Sequence, residues 1–340
     1  MTKKILSIAL ATYNMQEYLH RCLKSVLIPE ILDAIEIIIV NDGSTDDSLN
    51  IAQAYKEQYP ESVVLINKQN GHYGSCINAA LKAASGTYFR PLDPDDWFDS
   101  SALVRFIHKL ENTNADLIVT DFVYRYSGNR TRNISLDTKR IIPEHEYQVQ
   151  SGEYQAGDVR RLLVMHGMTY RTRILHDMAY TQTEGICYTD IEYVFYPLSQ
   201  ITTFLYLPVP LYQYLMDRAD QTVAEDMIYR NRNHLYKIIM QILTFLQLNN
   251  HTAEKTRILQ DMVLHRVLLF YYFCILENHK TPEDENNLHK IDDTLKMLAG
   301  DVYNKLSAEK HHKLFRPVAL WRNTGRYVGE TTLYRIVKSI

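Results

Sequence analysis

A chain of 340 residues is long enough for one large domain or two, and its net charge of −3 supplies no basic field that would draw it to nucleic acid. Hydrophobic residues make up 46% and charged residues 23%, with 12 glycines and 10 prolines, a balance that excludes long disordered tracts. Cys22, Cys76, Cys187 and Cys274 form no C-x-x-C pair, and no run of about 18 apolar residues occurs; free thiols in a cytoplasmic chain without a membrane span are expected.

Residues 5–12 form a nearly continuous apolar run, the pattern of a strand buried on both faces. Asn14, with Glu17 three residues on, reads as a helix start, and Leu19, Cys22, Leu23, Val26 and Leu27 keep helical spacing behind it. A second buried strand, 35–40, stops at the polar loop 41–47, whose Ser44 and Asp47 read as caps of a helix carrying Leu49, Ala52 and Tyr55 inward. Pro60 ends that helix. Residues 63–66 are a third strand, 70–75 a glycine-bearing loop, and Ile77, Ala80, Leu81 and Ala84 the inner face of the next helix. Residues 88–92 are a fourth strand. It ends in Asp93, Asp95 and Asp96, three carboxylates within four residues. Asp99 then N-caps a helix with Leu103, Phe106, Ile107 and Leu110 inward, and 115–126 read as a fifth strand.

Strands alternating with helices of this length predict βαβ units, a mainly parallel sheet and an α/β fold. The loops at 12–14, 41–47, 70–75 and 93–96 then share the sheet edge where such folds bind ligands. Clustered carboxylates repel one another unless a cation neutralises them. Oxygen ligands with no His or Cys nearby in sequence suit Mg²⁺ or Mn²⁺. A polar turn explains any one of these loops, but four on one edge point to a site.

Residues 127–160 are polar and irregular, with Arg130, Arg132, Lys139 and Arg140, and read as a surface excursion over the site or a solvated hairpin, the second reading being preferred. A strand at 168–170 and a helix opening near Thr172 follow, then 185–192, an apolar helix at 193–198, and strand-like runs at 203–207 and 209–215. After 224 the pattern is helical, at 227–248, 253–277, 283–298 and 329–339. This gives a domain 1–222, with halves 1–126 and 127–222, and a helical subdomain 223–340. The end of the chain mixes Lys310, Lys313, Arg316, Arg322, Arg326, Arg335 and Lys338 with Phe315, Leu320, Trp321, Tyr327, Tyr334 and Ile336. Such a mixture suits an anionic membrane interface or a packed helical cap with a solvated basic face, and the second is the reading preferred here.

Five stretches carry a resemblance: Ser7 to Asn14, Ile38 to Asp46, Asn70 to Asn78, Leu92-Asp93-Pro94-Asp95-Asp96-Trp97, and Thr189-Asp190. In order and separation they resemble the bacterial family 2 glycosyltransferases, over roughly the first 220 residues. The resemblance implies a GT-A fold and inverting transfer from a nucleotide-sugar donor, UDP-linked, to a glycan or lipid-linked acceptor, with peripheral contact at the inner membrane face. It assigns Asp42 to the nucleobase, Thr12, Tyr13, Asn14 and Gly71 to the nucleoside side, and Asp93 to the ribose and sugar. Asp95 would bind Mn²⁺ or Mg²⁺ on the diphosphate, Asp96 would support the loop, and Asp190 would be the catalytic base. Arg218 is weighed equally as a second cation on the diphosphate and as a surface partner of Asp217 or Asp220. His72 and His166 are weighed as groups reaching the metal or the acceptor, and the structural reading is preferred for both.

The chain departs from the family in two places. Cys76-Ile77-Asn78 stands where many members have Ala-Arg-Asn, and Thr189 replaces the Glu before the catalytic Asp, which leaves Glu192 as a substitute base. The Gln-x-x-Arg-Trp motif of processive synthases is absent. A nucleotidyltransferase and a non-catalytic nucleotide-sugar-binding protein remain as alternatives. A Rossmann oxidoreductase does not, since no G-x-G-x-x-G follows a strand.

Overall fold

Strand β1 (Leu6–Thr12) is buried except at Ala11, and every residue of β2 (Ile35–Asp42) is buried, as the apolar runs dictate. The computed structural model describes residues 4–216, 227, 230–249, 251–276, 281–310, 316–325 and 327. The further strands are β3 (Val63–Lys68), β4 (Tyr88–Pro91), β5 (Trp97–Phe98), β6 (Leu117–Arg125), β7 (Thr131–Ile134), β8 (Glu146–Gln148), β9 (Met168–Arg171) and β10 (Thr203–Leu215). One ten-stranded sheet runs β3-β2-β1-β4-β9-β6-β10-β5, with β7 on β6 and β8 on β10. β1 pairs parallel with β2 and β4, and β2 with β3. β9 enters antiparallel between β4 and β6, while β6 and β10 are parallel. The fold is therefore α/β with a mixed, mainly parallel sheet in its first half.

Helices α1 (Leu19–Val26), α2 (Ser48–Gln58), α3 (His72–Ala83) and α4 (Ser100–Leu110) flank the sheet, α3 lying on β1 and β2. Asp99 caps α4 as its sequence predicts, its Oδ1 accepting from Ala102 N at 2.8 Å. Other expectations are corrected. Asn14 is no helix cap: it takes a left-handed φ of 53°, and its Oδ1 accepts from Thr45 N at 2.8 Å. Ser44 and Asp47 give α2 no side-chain cap; Asp46 Oδ1 accepts from Ser48 N instead, at 3.0 Å. The loop expected at 70–75 is already helix from His72 onward. The hairpin expected at 127–160 contains β7 and β8, and β5 lies in what read as a turn. The two runs at 203–215 are one strand, with a register shift between Leu207 and Tyr212. Pro208 and Pro210 fall within it, and a proline donates no ladder bond. After α5 (Ala156–Val159) and α6 (Thr172–Asp177), α7 (Asp190–Leu198) begins at Asp190, three residues earlier than its apolar run.

The chain divides into two compact units, Met1–Ala219 and Asp220–Ile340. The boundary read from the sequence at 222 falls outside the described residues. In the second unit α9 (Ala253–Leu276) touches α8 (Arg232–Leu248), α10 (Pro282–Leu298), α11 (Gly300–Ala308) and α12 (Pro317–Thr324). Within α9, Lys255–Leu276 is long and apolar enough by composition to cross a membrane, with mean hydropathy 1.4. More than half of that stretch is buried among the other helices, and a helix apolar all round is what a helical core requires. Helices α11 and α12 were not read from the sequence, and the one expected at 329–339 lies outside the described residues.

Two members of the basic-aromatic tail face inward. Trp321 is buried, and Arg322 donates from Nε to Asp292 Oδ1 at 2.8 Å while stacking on Tyr303 at 3.5 Å. Lys313, Phe315, Arg326, Tyr334, Arg335, Ile336 and Lys338 lie outside the described residues.

Candidate active site

The strand ends carry the polar loops to one edge. Asp42, the last residue of β2, is 3% exposed. Its Oδ1 accepts from Lys68 Nζ at 2.6 Å and from Gly71 N at 3.0 Å. Lys68 Nζ also donates to Gln69 O at 2.7 Å and Ser75 Oγ at 2.8 Å, so its three protons are all engaged. Lys68 thus holds the Asp42 carboxylate in one orientation. Gly71 stands at the N-cap of α3, where a Cβ would lie 2.6 Å from Ser75 Oγ. Thr12 is fully buried and Tyr13 is 46% exposed. Asn14 N donates to Ser44 Oγ at 3.1 Å, Met15 N to Ser48 Oγ at 2.8 Å and Gln16 N to Asp46 Oδ2 at 3.0 Å. The loops after β1 and β2 are braced as one piece.

Beyond β4 the carboxylates divide. Asp93 and Asp95 are half-buried, whereas Asp96 is fully buried. Asp96 Oδ2 accepts from Tyr212 OH at 2.6 Å and Oδ1 from Leu215 N at 2.7 Å. Burial first, then the charges of Asp95 and Asp93, push its carboxyl well above the usual range. Arg21 donates to Asp95 O at 2.5 Å and stacks on Trp97 at 4.0 Å, in a concave surface of about 660 Å³ behind the loop.

The fold adds a histidine that sequence distance conceals. Ligand atoms of Asp93, Asp96 and His166 lie within 4.8 Å of one another, and Asp95 stands outside this trio. The expectation that no His lies near the carboxylates is therefore corrected. Two carboxylates and an imidazole are a donor set that a divalent cation accepts, and it would relieve the repulsion that raises Asp96. The imidazole packs against Tyr214 and Tyr212, with ring centres 4.4 Å and 4.8 Å away. Behind it Arg90 is fully buried and donates to His166 O, to Thr169 Oγ1 at 2.9 Å and to Thr120 Oγ1 at 3.2 Å. Burial lowers its pKa to about 10. Sequence reading passed over Arg90 and Lys68 as ordinary strand residues; charges inside otherwise apolar strands were the signal available.

Tyr73, on the first turn of α3, links this cluster to the last candidate. Desolvation, then the charges of Asp93 and Asp190, push its half-buried hydroxyl well above the usual value, so both carboxylates act on one phenol. Asp190 is half-buried at the first position of α7, and Thr189 occupies the N-cap without a side-chain bond. Glu192, the substitute base, is 1% exposed. Its Oε2 accepts from Thr183 N and its Oε1 from Thr183 Oγ1, both at 2.7 Å. It is enclosed and bonded at both oxygens within the chain, whereas Asp190 is half-buried. Arg218 lies outside the described residues.

A ten-stranded mixed sheet, a braced Asp42 loop after β2 and a carboxylate cluster after β4 define the class as a GT-A sugar-nucleotide fold. Residues 7–178 match the profile described as Glycosyl transferase family 2. The chain belongs to that family. Over 341 residues it is 25% identical to the minor teichoic acid biosynthesis protein GgaB of Bacillus subtilis, covering 95% of this chain and 36% of that protein. It is 36% identical over 117 residues to the poly(ribitol-phosphate) β-glucosyltransferase of Bacillus spizizenii, covering 33% of this chain and 18% of that one. The chain thus spans about a third or less of the length of these relatives. Among solved structures, TarS 1–349 of S. aureus in complex with UDP-GlcNAc superposes with a TM-score of 0.68 at 18% identity, covering 98% of this chain and 92% of that one.

Proposed function

We propose that the protein is an inverting glycosyltransferase that moves a sugar from a UDP-linked donor to a hydroxyl of a cell-surface polymer or lipid-linked glycan. The observation that carries this is the edge itself. The Asp42–Gly71 pair sits at the start of α3, and the Asp93 and Asp190 charges both act on Tyr73 in its first turn. Similarity to a minor teichoic acid biosynthesis protein and to a poly(ribitol-phosphate) β-glucosyltransferase, and the UDP-GlcNAc bound by TarS, support a UDP-sugar and a polymeric acceptor. Free thiols at all four cysteines agree with a cytoplasmic enzyme, and its contact with a membrane surface remains part of the proposal.

Two obstacles define the chemistry: a diphosphate leaves with its charge, and a hydroxyl loses its proton. In this reading Asp42 accepts from the nucleobase, and Thr12, Tyr13 and Asn14 line the nucleoside. Asp93, Asp95, Asp96 and His166 are the groups available to hold Mn²⁺ or Mg²⁺. The cation, when bound, neutralises charge developing on the diphosphate. Asp190 takes the acceptor proton as the hydroxyl attacks, and one displacement inverts the anomeric centre.

The test begins with a screen of UDP-sugars for Mn²⁺-dependent hydrolysis. On the best donor, Asp190→Asn is expected to lose about 10²-fold or more in turnover, the range for removing a general base. UDP affinity by calorimetry stays unchanged. Wild-type turnover in that variant removes Asp190 as the base, and a product that keeps the donor's anomeric configuration removes the single displacement.

A further inference from the structure

The segment that leads into Asp190 is clamped to α3. Gly185 N donates to Gly71 O at 3.0 Å. Asn78 Oδ1 accepts from Gln182 N at 2.7 Å, while its Nδ2 donates to Gln182 O at 2.9 Å and to Glu184 Oε1 at 3.0 Å. Gly74 admits the segment closely, since a Cβ there would stand 2.2 Å from Thr183 O. Thr183 then gives its N–H and its hydroxyl to Glu192, two residues past Asp190. The ring is closed: α3 holds residues 182–185, and residue 183 holds the first turn of α7.

Between these anchors the backbone is bent. Gly185 has a φ of 77° and Tyr188 a φ of 68°. A left-handed non-glycine residue costs about 1–3 kcal/mol and persists only where its surroundings over-determine it. The direction in which Asp190 leaves the helix start depends on that bend. The same first turns of α3 hold Asp42, through Gly71 N and through Ser75 and Lys68. One helix therefore mounts both the nucleobase side and the base side of the site.

We propose that Glu192 and Asn78 are positioning residues for Asp190, fixing the 182–189 segment on α3 so that the carboxylate meets the acceptor hydroxyl. The proposal rests on the reading of Asp190 as base. In this proposal Glu192 acts by holding Thr183, which bonds both of its oxygens, and not by handling a proton. A misplacement of roughly 1 Å costs about 10²-fold in rate.

The test compares Glu192→Leu, Glu192→Gln and Asn78→Ala with Asp190→Asn. UDP serves as the binding probe, and the UDP-sugar hydrolysed fastest in the screen serves as substrate. Glutamine keeps an acceptor for Thr183 N–H and a donor for its hydroxyl, whereas leucine keeps neither. Glu192→Leu is expected to lose about 10²-fold in kcat and Asn78→Ala about tenfold, with UDP affinity unchanged within about threefold. Glu192→Gln stays within about fivefold of wild type. Amide exchange over residues 181–189 quickens in the leucine and alanine variants and not in the glutamine variant. A glutamine variant as inactive as Asp190→Asn overturns the proposal in favour of a chemical role. So does faster exchange with wild-type kcat, which would show that the clamp positions nothing. Asn78 is half-buried, so its alanine variant is expected to fold, and it decides the matter if Glu192→Leu does not. Wild-type turnover in Asp190→Asn, by contrast, strikes the base assignment alone.

Discussion

Single side chains carry charge to depths where water cannot help them, and each such residue reveals a constraint. Arg90 is a buried cation met by two threonine hydroxyls, a backbone carbonyl and the rings of Phe98, Phe106 and Tyr212. Asp121 on β6 is its acidic counterpart, 9% exposed, with Tyr206 OH donating to it at 2.7 Å. Burial outweighs that bond and lifts its pKa from 3.8 to about 6. The folded state therefore holds this proton more tightly than the unfolded chain does. Stability from this group is fully present below pH 3.8 and declines as pH rises towards about 6. Asp121→Asn keeps an acceptor for Tyr206 and removes the titration. It is expected to be stabilising by ~1–2 kcal/mol at pH 8, a few degrees in Tm, and near neutral at pH 4. Melting curves at the two pH values check this; an equal shift at both would mean that Asp121 does not titrate between them.

Elements were legible where burial leaves one option. β1 and β2 are sealed on both faces, so their apolar runs could be nothing else. β5, β7 and β8 span 2, 4 and 3 residues, too few for any period to show. The carboxylate loops were legible as a site because their chemistry is local. His166 stood only as the less favoured alternative to a structural residue, because its place beside Asp93 follows from β9 entering antiparallel between β4 and β6, which no periodicity encodes. The contact of α3 with residues 182–185 was hidden for the same reason, and Gly74 is its most sensitive point. Alanine usually favours a helix over glycine by up to about 1 kcal/mol. Here its Cβ meets a backbone carbonyl that cannot rotate away, and overpacking of this kind costs about 1–3 kcal/mol. Gly74→Ala is expected to lower Tm by several degrees and turnover by about tenfold, while UDP affinity holds. A higher Tm with full turnover would show that the segment moves freely off α3.

At the scale of the whole chain there are two compact units, and the first carries the family's residues 7–178. Ligand binding should therefore register in the first unit's stability, and it offers a test of the metal independent of turnover. A ligand at 100 times its Kd stabilises the folded state by ~2.7 kcal/mol, or about 5–10 °C in a unit of this size. UDP with Mn²⁺ is expected to raise the first unit's transition by that amount, and UDP in excess EDTA by much less, since its diphosphate then meets Asp93 and Asp95 uncompensated. Asp93→Asn should remove part of that repulsion, narrowing the gap between the Mn²⁺ and EDTA shifts. His166→Phe keeps an aromatic ring against Tyr212 and Tyr214 and removes both ring nitrogens, so it separates a ligand from a packing residue. If His166 helps hold the cation, the phenylalanine variant loses most of the Mn²⁺-dependent shift and keeps its unliganded Tm. Equal shifts for UDP with Mn²⁺ and with EDTA in the wild type would end the case for a metal at this edge.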